Sequence, residues 1–234
     1  MTAATMRGLF VTGTDTGVGK TLVAAGLARL ALRQGIRVIP FKPVETGCNP
    51  VAEDAHLLWS AAGQPVSEHE VCPHRFALPG APAQAAAAEG AAIDLDRVVA
   101  EARVLSARGD LLLVEGAGGL LVPYGDGWTA ADLMERLGLP LVLVARTALG
   151  TINHTALTVR EASRRGLRVK ALILNRTTPD EAPHERDGLR YVAAATGLAP
   201  AGPVPWAPGP NDPDRLADLI QRALGSAVDE LLRG

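Results

Sequence analysis

A glycine-rich segment near the start of the chain constrains its fold more than any other feature. It reads Gly-Thr-Asp-Thr-Gly-Val-Gly-Lys-Thr over residues 13–21, after the apolar run 9–11 and before an apolar stretch of helical period that begins at Leu22. A buried strand, a glycine-rich turn, Gly-Lys-Thr and a helix, in that order, are typical of a phosphate-binding loop, or P-loop. Backbone N–H groups of the turn and of the helix start point at an anion in such a loop. The sequence therefore predicts a nucleotide site.

Two side chains of the triplet have predicted roles at that site. Lys20 would reach the β- and γ-phosphates of ATP, and the Thr21 hydroxyl would coordinate Mg²⁺. The segment departs from the common pattern at one position. Thr14 stands where the leading glycine is expected, and Gly13 lies one residue earlier.

Short apolar runs of strand length alternate with longer stretches of helical period. The predicted strands cover residues 8–12, 37–41, 111–114, 141–145, 169–174 and 202–204. The predicted helices cover residues 20–34, 54–62, 94–107, 130–137, 153–165, 185–196 and 214–224. The interior strands are apolar throughout, as strands covered on both faces are, while residues 81–90 fit either a short helix or a loop. We expect one α/β domain over residues 1–234, with a three-layer fold in which helices flank a parallel sheet.

Composition argues against several classes of function. The 234 residues carry a formal net charge of −2 and no local cluster of Lys or Arg, so nothing indicates nucleic-acid binding. No apolar run reaches the length of a membrane span, and residues 1–7 are too few and too polar for a signal peptide. Cys48 and Cys72 lack metal-binding spacing, and we expect reduced thiols in a cytoplasmic protein.

Charged residues follow two predicted strands at the edge where sheets of this class bind ligands. Lys42 ends the second strand, which is expected beside the P-loop strand, and would contact a phosphate or pair with a structural carboxylate. Glu115 ends the apolar run 111–114 and resembles a Walker B acid, which faces the metal. Three glycines within the next four residues let the backbone approach a ligand. Asp54, at a predicted helix start, is either a carboxylate favoured by the helix dipole or a Mg²⁺ ligand.

Three further segments are candidate ligand contacts. The helix start at residues 150–154 offers N–H groups to an anion, with Asn153 as the predicted N-cap, although an ordinary capped helix has the same features. Asn175, after the fifth strand, either pairs with an adenine edge or belongs to a turn. Residues 205–207 follow the last strand and are predicted to line the base pocket.

Four motifs, in this order, resemble the dethiobiotin synthetase family. They are Val-Thr-Gly-Thr-Asp-Thr-x-Val-Gly-Lys-Thr at 11–21, Lys-Pro-Val-x-(Ser/Thr)-Gly at 42–47, Val-Glu-Gly-Ala-Gly-Gly at 114–119 and Gly-x-Ile-Asn-His at 150–154. The first and third together are highly specific. The resemblance runs from Val11 to Trp206 and implies a P-loop NTPase-like fold. Gly17 stands where some relatives carry Glu.

The resemblance implies a homodimeric enzyme of biotin biosynthesis that closes a cyclic urea on 7,8-diaminononanoate with CO₂ or bicarbonate, ATP and Mg²⁺. One amine becomes a carbamate, ATP phosphorylates it to a carbamic–phosphoric anhydride, and the second amine displaces phosphate. Lys20 and Lys42, the predicted catalytic residues, would neutralise charge on the γ-phosphoryl and carbamate oxygens. Thr46 would contact the diamine or its carbamate. The helix start at 150–154 of the second subunit would receive the carboxylate of the substrate, with Tyr191 as a further candidate.

The residues assigned on these grounds form three sets. The metal ligands would be Thr21, Asp54 and Glu115. The residues around the nucleotide would be Gly17, Val18, Gly19, Lys20, Thr21, Leu22, Asp54, Glu115, Gly116, Ala117, Gly118, Asn175, Arg176, Pro205, Trp206 and Ala207. The residues around the substrate would be Thr46, Gly118, Gly150, Thr151, Asn153 and Tyr191.

A partition or septum-site ATPase of the related P-loop group is the alternative. Such switches bind DNA or membrane and typically carry a lysine in the first half of the loop, where this chain has Thr14-Asp15-Thr16. The chain also lacks a basic patch, and its C-terminal segment contains Asp229 and Glu230 in place of an amphipathic membrane tail. The synthetase is therefore the favoured interpretation.

Overall fold

A computed structural model describes residues 6–180, 185–207 and 212–233. Its strands are β1 (Gly8–Gly13), β2 (Val38–Phe41), β3 (Val44–Thr46), β4 (His74–Phe76), β5 (Leu111–Gly119), β6 (Pro123–Gly125), β7 (Trp128–Thr129), β8 (Leu141–Arg146), β9 (Val169–Asn175) and β10 (Ala201–Val204). Its helices are α1 (Lys20–Arg33), α2 (Glu53–Ala61), α3 (Glu68–Val71), α4 (Pro82–Ala88), α5 (Leu95–Ser106), α6 (Ala130–Leu137), α7 (Thr151–Arg164), α8 (Glu185–Thr196), α9 (Pro213–Leu224) and α10 (Ala227–Arg233).

The six predicted strands form one parallel sheet in the order β10-β9-β8-β1-β5-β2. Alternate residues of β5 point into different cores, as the two-residue period of a strand requires. Leu112 and Val114 join the core on the face covered by α5 and α6, whereas Leu111 and Leu113 join the core on the face covered by α1 and α9. Helices therefore cover both faces of the sheet, and the predicted three-layer α/β fold is confirmed.

One expectation about the sheet is wrong. β2 does not lie beside the P-loop strand β1, because β5 is inserted between them. Val11 of β1 is in register with Glu115 of β5, and Phe41 of β2 is in register with Val114. The long apolar β5 gains hydrogen-bonded neighbours on both sides in this interior position, and the four-residue β2 takes the edge. Glu115, and not Lys42, is thus on the strand adjacent to the P-loop.

Several element boundaries also differ from those predicted. β5 continues through the glycines to Gly119. Residues 82–88 form a helix, which is one of the two alternatives predicted for that segment. α7 begins at Thr151, after Gly150 with a φ of 92°, so Asn153 lies inside the first turn and is not the N-cap. The reason is that the left-handed conformation of Gly150 starts the helix there, with no side chain to cap it. Among the described helices, none is long and apolar enough to cross a membrane.

Candidate active site

The P-loop connects β1 to α1 and depends on two glycines with positive φ. Gly17 has a φ of 73° and Gly19, the N-cap of α1, has a φ of 94°. A Cβ atom on Gly19 would lie 2.1 Å from Nδ2 of Asn175, so a larger residue does not fit there. The first N–H groups of α1 receive no side-chain cap from Gly19, which leaves them available to an anion.

Lys20 is held inside this loop. Its Nζ atom donates a hydrogen bond to the carbonyl oxygen of Asp15 at 2.9 Å, and the residue is buried. Burial lowers the pKa of Lys20, while the negative charge of Glu115 acts in the opposite direction. A bound phosphate would supply the negative charge that a buried ammonium group requires.

A charged cluster forms where α1, α2, β5 and the residue after β2 meet. The Lys42 Nζ atom lies 2.7 Å from Oε1 of Glu115 and 2.9 Å from Oδ2 of Asp54. The Thr21 hydroxyl donates to the same Oε1 of Glu115 at 2.8 Å. The side chains of Lys42 and Glu115 are only 3% and 1% exposed, whereas that of Asp54 is 45% exposed. Lys42 therefore pairs with two carboxylates beside the P-loop, which is one of its two predicted environments.

Burial and charge oppose each other in the pKa values of this cluster. Burial would lower the pKa of Lys42, but the charges of Glu115 and Asp54 raise it above the usual range. Burial would raise the pKa of Asp54, but the Lys42 ammonium lowers it. Burial raises the pKa of Glu115, with Lys42 acting against the increase. The Lys42 ammonium and the Asp54 carboxylate are thus both charged at neutral pH.

The charged cluster offers oxygen atoms to a Mg²⁺ ion. Oε2 of Glu115 is buried and has no hydrogen-bond partner within the described residues, so it is an acceptor that lacks a donor or a cation. No group of three or more His, Cys, Asp or Glu side chains able to hold a metal occurs in that part of the chain. Thr21, Asp54 and Glu115 offer the small set of oxygen ligands that Mg²⁺ takes when phosphates and water complete its coordination. The residues therefore fit the ion.

A cavity of about 650 Å³ opens above the cluster. Of the predicted residues, those that line it are Gly17, Gly19, Lys20, Thr21, Lys42, Thr46, Asp54, Glu115, Ala117 and Gly118. Residues 79–82 and Val122 also line it, and the Thr46 hydroxyl donates to the carbonyl oxygen of Gly80 at 2.9 Å. Val18 and Leu22 pack in the core beneath the loop, and Gly116 is buried beside Phe10.

Asn175 is buried against the P-loop. Its Nδ2 atom donates to the carbonyl oxygen of Val18 at 2.9 Å, so the amide connects β9 to the loop. Its Oδ1 atom is buried without a partner in the described residues and is free to accept from an exocyclic amine. Arg176 lies 3.0 Å from the buried Glu185. The contacts of Asn175 and Arg176 with adenine stay predictions, as do those of Pro205, Trp206 and Ala207, which follow β10.

The remaining substrate candidates do not line this cavity. Gly150, Thr151 and Asn153 lie at the start of α7, where Thr151 is buried. Tyr191 is half-exposed on α8, with the Arg190 guanidinium 5.1 Å from its ring centre. Their assignment to a second subunit stays a prediction.

Two buried side chains at the site were missed in the sequence. The Tyr124 hydroxyl accepts from the N–H of Ala117 at 2.5 Å and thereby holds the glycine-rich end of β5. Nothing near Tyr124 in the sequence signals this contact. Glu45 accepts hydrogen bonds from the start of α2. It could have been noticed in the sequence as a single acidic residue in the short segment after Lys42.

The chain is similar to known proteins over most of its length. The family described as an AAA domain matches residues 7–213. The chain is 48% identical over 224 residues to an ATP-dependent dethiobiotin synthetase of Anaeromyxobacter dehalogenans (strain 2CP-C), covering 95% of this chain and 97% of the relative. It is 42% identical over 192 residues to an enzyme of the same name from Aquifex aeolicus, covering 82% and 86% of the two chains.

Two solved structures share the fold at low sequence identity. The MinC:MinD cell division protein complex of Aquifex aeolicus gives a TM-score of 0.60 at 13% identity, covering 97% of this chain and 96% of the other. A ParA family ATPase from Chlorobium tepidum gives a TM-score of 0.54 at 14% identity, covering 99% and 94%. At these identities the likeness concerns the fold alone.

Proposed function

The chain belongs to the ATP-dependent dethiobiotin synthetase family, and we propose on that premise that the cavity beside the P-loop is where the ureido ring of dethiobiotin is closed. The substrates are 7,8-diaminononanoate, CO₂ or bicarbonate, and ATP. The observation that carries this proposal is the convergence of Lys20, Lys42 and Glu115 on one cavity, although they come from three separate segments. The partition or septum-site ATPase is not favoured, because sequence relatives over most of the chain carry the synthetase name.

The proposed ring closure has three chemical steps. One substrate amine attacks CO₂, loses a proton and becomes a carbamate. A carbamate oxygen attacks the γ-phosphorus of ATP, ADP leaves, and a carbamic–phosphoric anhydride is formed. The second amine then attacks the carbamoyl carbon, the bond to the phosphate oxygen breaks, and inorganic phosphate and the cyclic urea are released with a proton.

The two lysines would neutralise the negative charge that develops in these steps. Lys20, at the start of α1, would neutralise the γ-phosphoryl oxygens, while backbone N–H groups of the P-loop hold the β-phosphate. Lys42 is fixed by two carboxylates and would present its ammonium to the carbamate and to the transferring phosphoryl group. Fixed positive groups in a buried site stabilise a developing anion more than they would in water.

Thr21, Asp54 and Glu115 would hold Mg²⁺. The ion supplies Lewis-acid polarisation of the phosphate oxygens when it is bound. The register of β5 against β1 sets Glu115 beside Val11 of the P-loop strand, and Oε2 of Glu115 has no hydrogen-bond partner within the described residues; both observations support the assignment. Thr46, which lines the same cavity and bonds to Gly80, would contact the diamine.

The proposed enzyme is a homodimer of the cytoplasm. Large apolar side chains are exposed on α7 and α8 or next to them, namely Leu149, Ile152, Leu157 and Tyr191. Leu149 and Leu157 are 83% and 57% exposed, which fits a surface covered by a second subunit. The two cysteines are free and buried, as expected of a protein in a reducing compartment.

The test of this function is phosphate release by the purified protein with ATP, Mg²⁺ and bicarbonate, measured with and without 7,8-diaminononanoate. We expect release that depends on the diamine, together with dethiobiotin detected by mass spectrometry. Parallel reactions would contain duplex DNA or anionic lipid vesicles in place of the diamine. Release stimulated by DNA or vesicles and not by the diamine would contradict the proposal.

A further inference from the structure

Helix α2 carries Asp54 but has no cap of its own. The residue at its N-cap is Ala52, whose side chain has no polar atom, and the helix begins at Glu53. The first N–H groups of a helix have no partner within the helix and need one from elsewhere. Without such a partner, the first turn of α2 would fray.

Glu45, on the separate strand β3, provides the missing partner. Its Oε1 atom accepts the N–H of Asp54 at 3.0 Å, and its Oε2 atom accepts the N–H of Ala55 at 2.9 Å. Hydrogen bonds to a carboxylate are stronger than those between neutral groups, and a negative charge is favourable at a helix start. Glu45 is only 7% exposed, so water competes little for these bonds.

These bonds act directly on a residue of the charged cluster. The N–H group held by Glu45 belongs to Asp54, whose Oδ2 lies 2.9 Å from Nζ of Lys42. Residues 47–52 form the covalent connection between β3 and α2 and contain no helix or strand. The contact with Glu45 therefore links the start of α2 directly to β3, in addition to the covalent connection.

We propose that Glu45 is a positioning residue that aims the Asp54 carboxylate at Lys42 and at the metal–triphosphate. The inference rests on the proposed function, because that function assigns Asp54 to the metal. Glu45 also lines the cavity, so a direct contact with a substrate amine is the competing role. Positioning is favoured because each of its two oxygens already accepts a backbone N–H group.

The experiment compares Glu45→Gln with Glu53→Gln, a matched control that removes an exposed acid from the same helix start. Gln keeps the shape of Glu45 but replaces one acceptor oxygen with a donor that faces a backbone N–H. Calorimetry would measure the affinity for a non-hydrolysable ATP analogue in the presence of Mg²⁺ and of EDTA. We expect the gain in affinity due to Mg²⁺ to fall by about tenfold or more in Glu45→Gln, as when an outer partner of a metal ligand is removed. In Glu53→Gln the gain in affinity due to Mg²⁺ should stay within about twofold of the parent value.

Glu45→Asp covers the case in which Glu45→Gln does not fold. Asp keeps the charge but is one methylene shorter, so we expect a smaller loss of the Mg²⁺ effect in a folded protein. In turnover assays, Glu45→Gln should lower kcat and raise the Mg²⁺ concentration for half-maximal rate, with little change in KM for the diamine. Folded variants with an unchanged Mg²⁺ effect, or with a raised KM for the diamine alone, would overturn the proposal.

The two proposals can fail separately. Calorimetry with nucleotide and Mg²⁺ needs no diamine and tests only the positioning of Asp54. Diamine-dependent phosphate release by the unmodified protein tests only the function. Suppose that the unmodified protein shows no diamine-dependent release, but that Glu45→Gln loses the Mg²⁺ effect on nucleotide affinity. The positioning of Asp54 by Glu45 would then be supported, and the synthetase function would be refuted.

Discussion

The ion pair between Lys42 and Glu115 costs the protein desolvation energy on both sides. Two charges that leave water recover the cost only through close contacts, here 2.7 Å between Nζ and Oε1. Replacing such pairs by apolar residues is often neutral or stabilising, so a buried pair is weak evidence of a stabilising role. Its position beside the P-loop is better explained by the charge that Lys42 presents to a ligand.

We expect Lys42→Met to lower the free energy of unfolding by about 3 kcal/mol, because the buried carboxyl group of Glu115 loses its cationic partner. The double variant Lys42→Met/Glu115→Gln should recover most of this loss but no turnover. Urea unfolding monitored by circular dichroism measures the first effect, and diamine-dependent phosphate release measures the second.

Lys170→Met is the matched control, since Lys170 lies outside the site and bonds to two carbonyl oxygens near the C-terminus. We expect a change of no more than about 1 kcal/mol there. Equal destabilisation by Lys42→Met and the double variant would show that the unpaired Glu115 carboxyl group is not the cause.

The contacts of single residues could be predicted from the sequence only where the parallel sheet determines them. Lys42 and Glu115 were expected to meet because the carboxyl ends of parallel strands share one edge, and they do. The bond from Asn175 to Val18 spans 157 residues and joins a strand end to an irregular loop, so no periodic pattern encodes it. Glu45 was overlooked for a similar reason, since a helix cap supplied by another strand leaves no mark around Ala52.

The P-loop is the element on which nucleotide binding rests, and its two left-handed glycines differ in surroundings. A Cβ on Gly17 would meet nothing within 4 Å, whereas one on Gly19 would collide with Asn175. Positive φ costs a non-glycine residue roughly 1–2 kcal/mol by itself. The two positions therefore separate backbone strain from a steric clash.

We expect Gly19→Ala to abolish measurable ATP binding, because the loop must move away from Asn175. Gly17→Ala should weaken binding by about 5- to 30-fold, which corresponds to the strain alone. Titration with a fluorescent ATP analogue measures both. If both variants bound equally, the contact with Asn175 would not limit the loop.

A network of charges joins the end of α7 to α6. Arg165 lies 2.8 Å from Glu161 and 3.0 Å from both Asp132 and Glu135. Hydrogen bonds from Arg164 and then Arg165 lower the pKa of Glu161 to about 2. The charged form of Glu161 is thus the form that favours the folded state.

We expect Glu161→Gln to lower the melting temperature at pH 7 by no more than about 3 °C, since the pairs are near the surface. The folded-state pKa lies below the unfolded value of 4.5, so the contribution of Glu161 is present above pH 4.5 and is lost as pH falls toward about 2. Thermal unfolding of parent and variant between pH 2 and 7 measures this. A difference that grew toward low pH would contradict it.

At the scale of elements, helices with a strong apolar periodicity were predicted well, whereas short or irregular segments were not. α1 and α5 have clear apolar faces and were predicted within one or two residues of their observed ends. The short strand β3 is paired with β4, thirty residues away, so nothing local required it. The start of α7 was misplaced because Asn153 resembles a cap, while the conformation of Gly150 sets the boundary.

At the scale of the whole molecule, the predicted alternation of strands and helices gave the layers but not the strand order. β5 enters between β1 and β2, a choice that local sequence does not specify. The site survives this difference because β2 is adjacent to β5, so Lys42 still donates directly to Glu115.

We expect Leu157→Lys to dissociate the proposed dimer, because a charge would replace an exposed apolar side chain on α7. Val104→Lys, at a 66% exposed position on α5, is the matched control. Sedimentation velocity should show a monomer for the first variant and the parent's mass for the second. A monomeric parent protein would contradict the proposed assembly outright.

The strand that precedes Lys42 pairs with β5 alone in the described sheet, and its far side has no strand neighbour there. Margins of a sheet open more readily than its middle, and such openings need not involve the rest of the fold. On heating, this strand would separate from β5 and carry Lys42 out of the charged cluster, while the rest of the protein stayed folded. Heat inactivation should accordingly precede the loss of helical signal, and amide deuterium uptake at residues 38–41 should rise over the same interval.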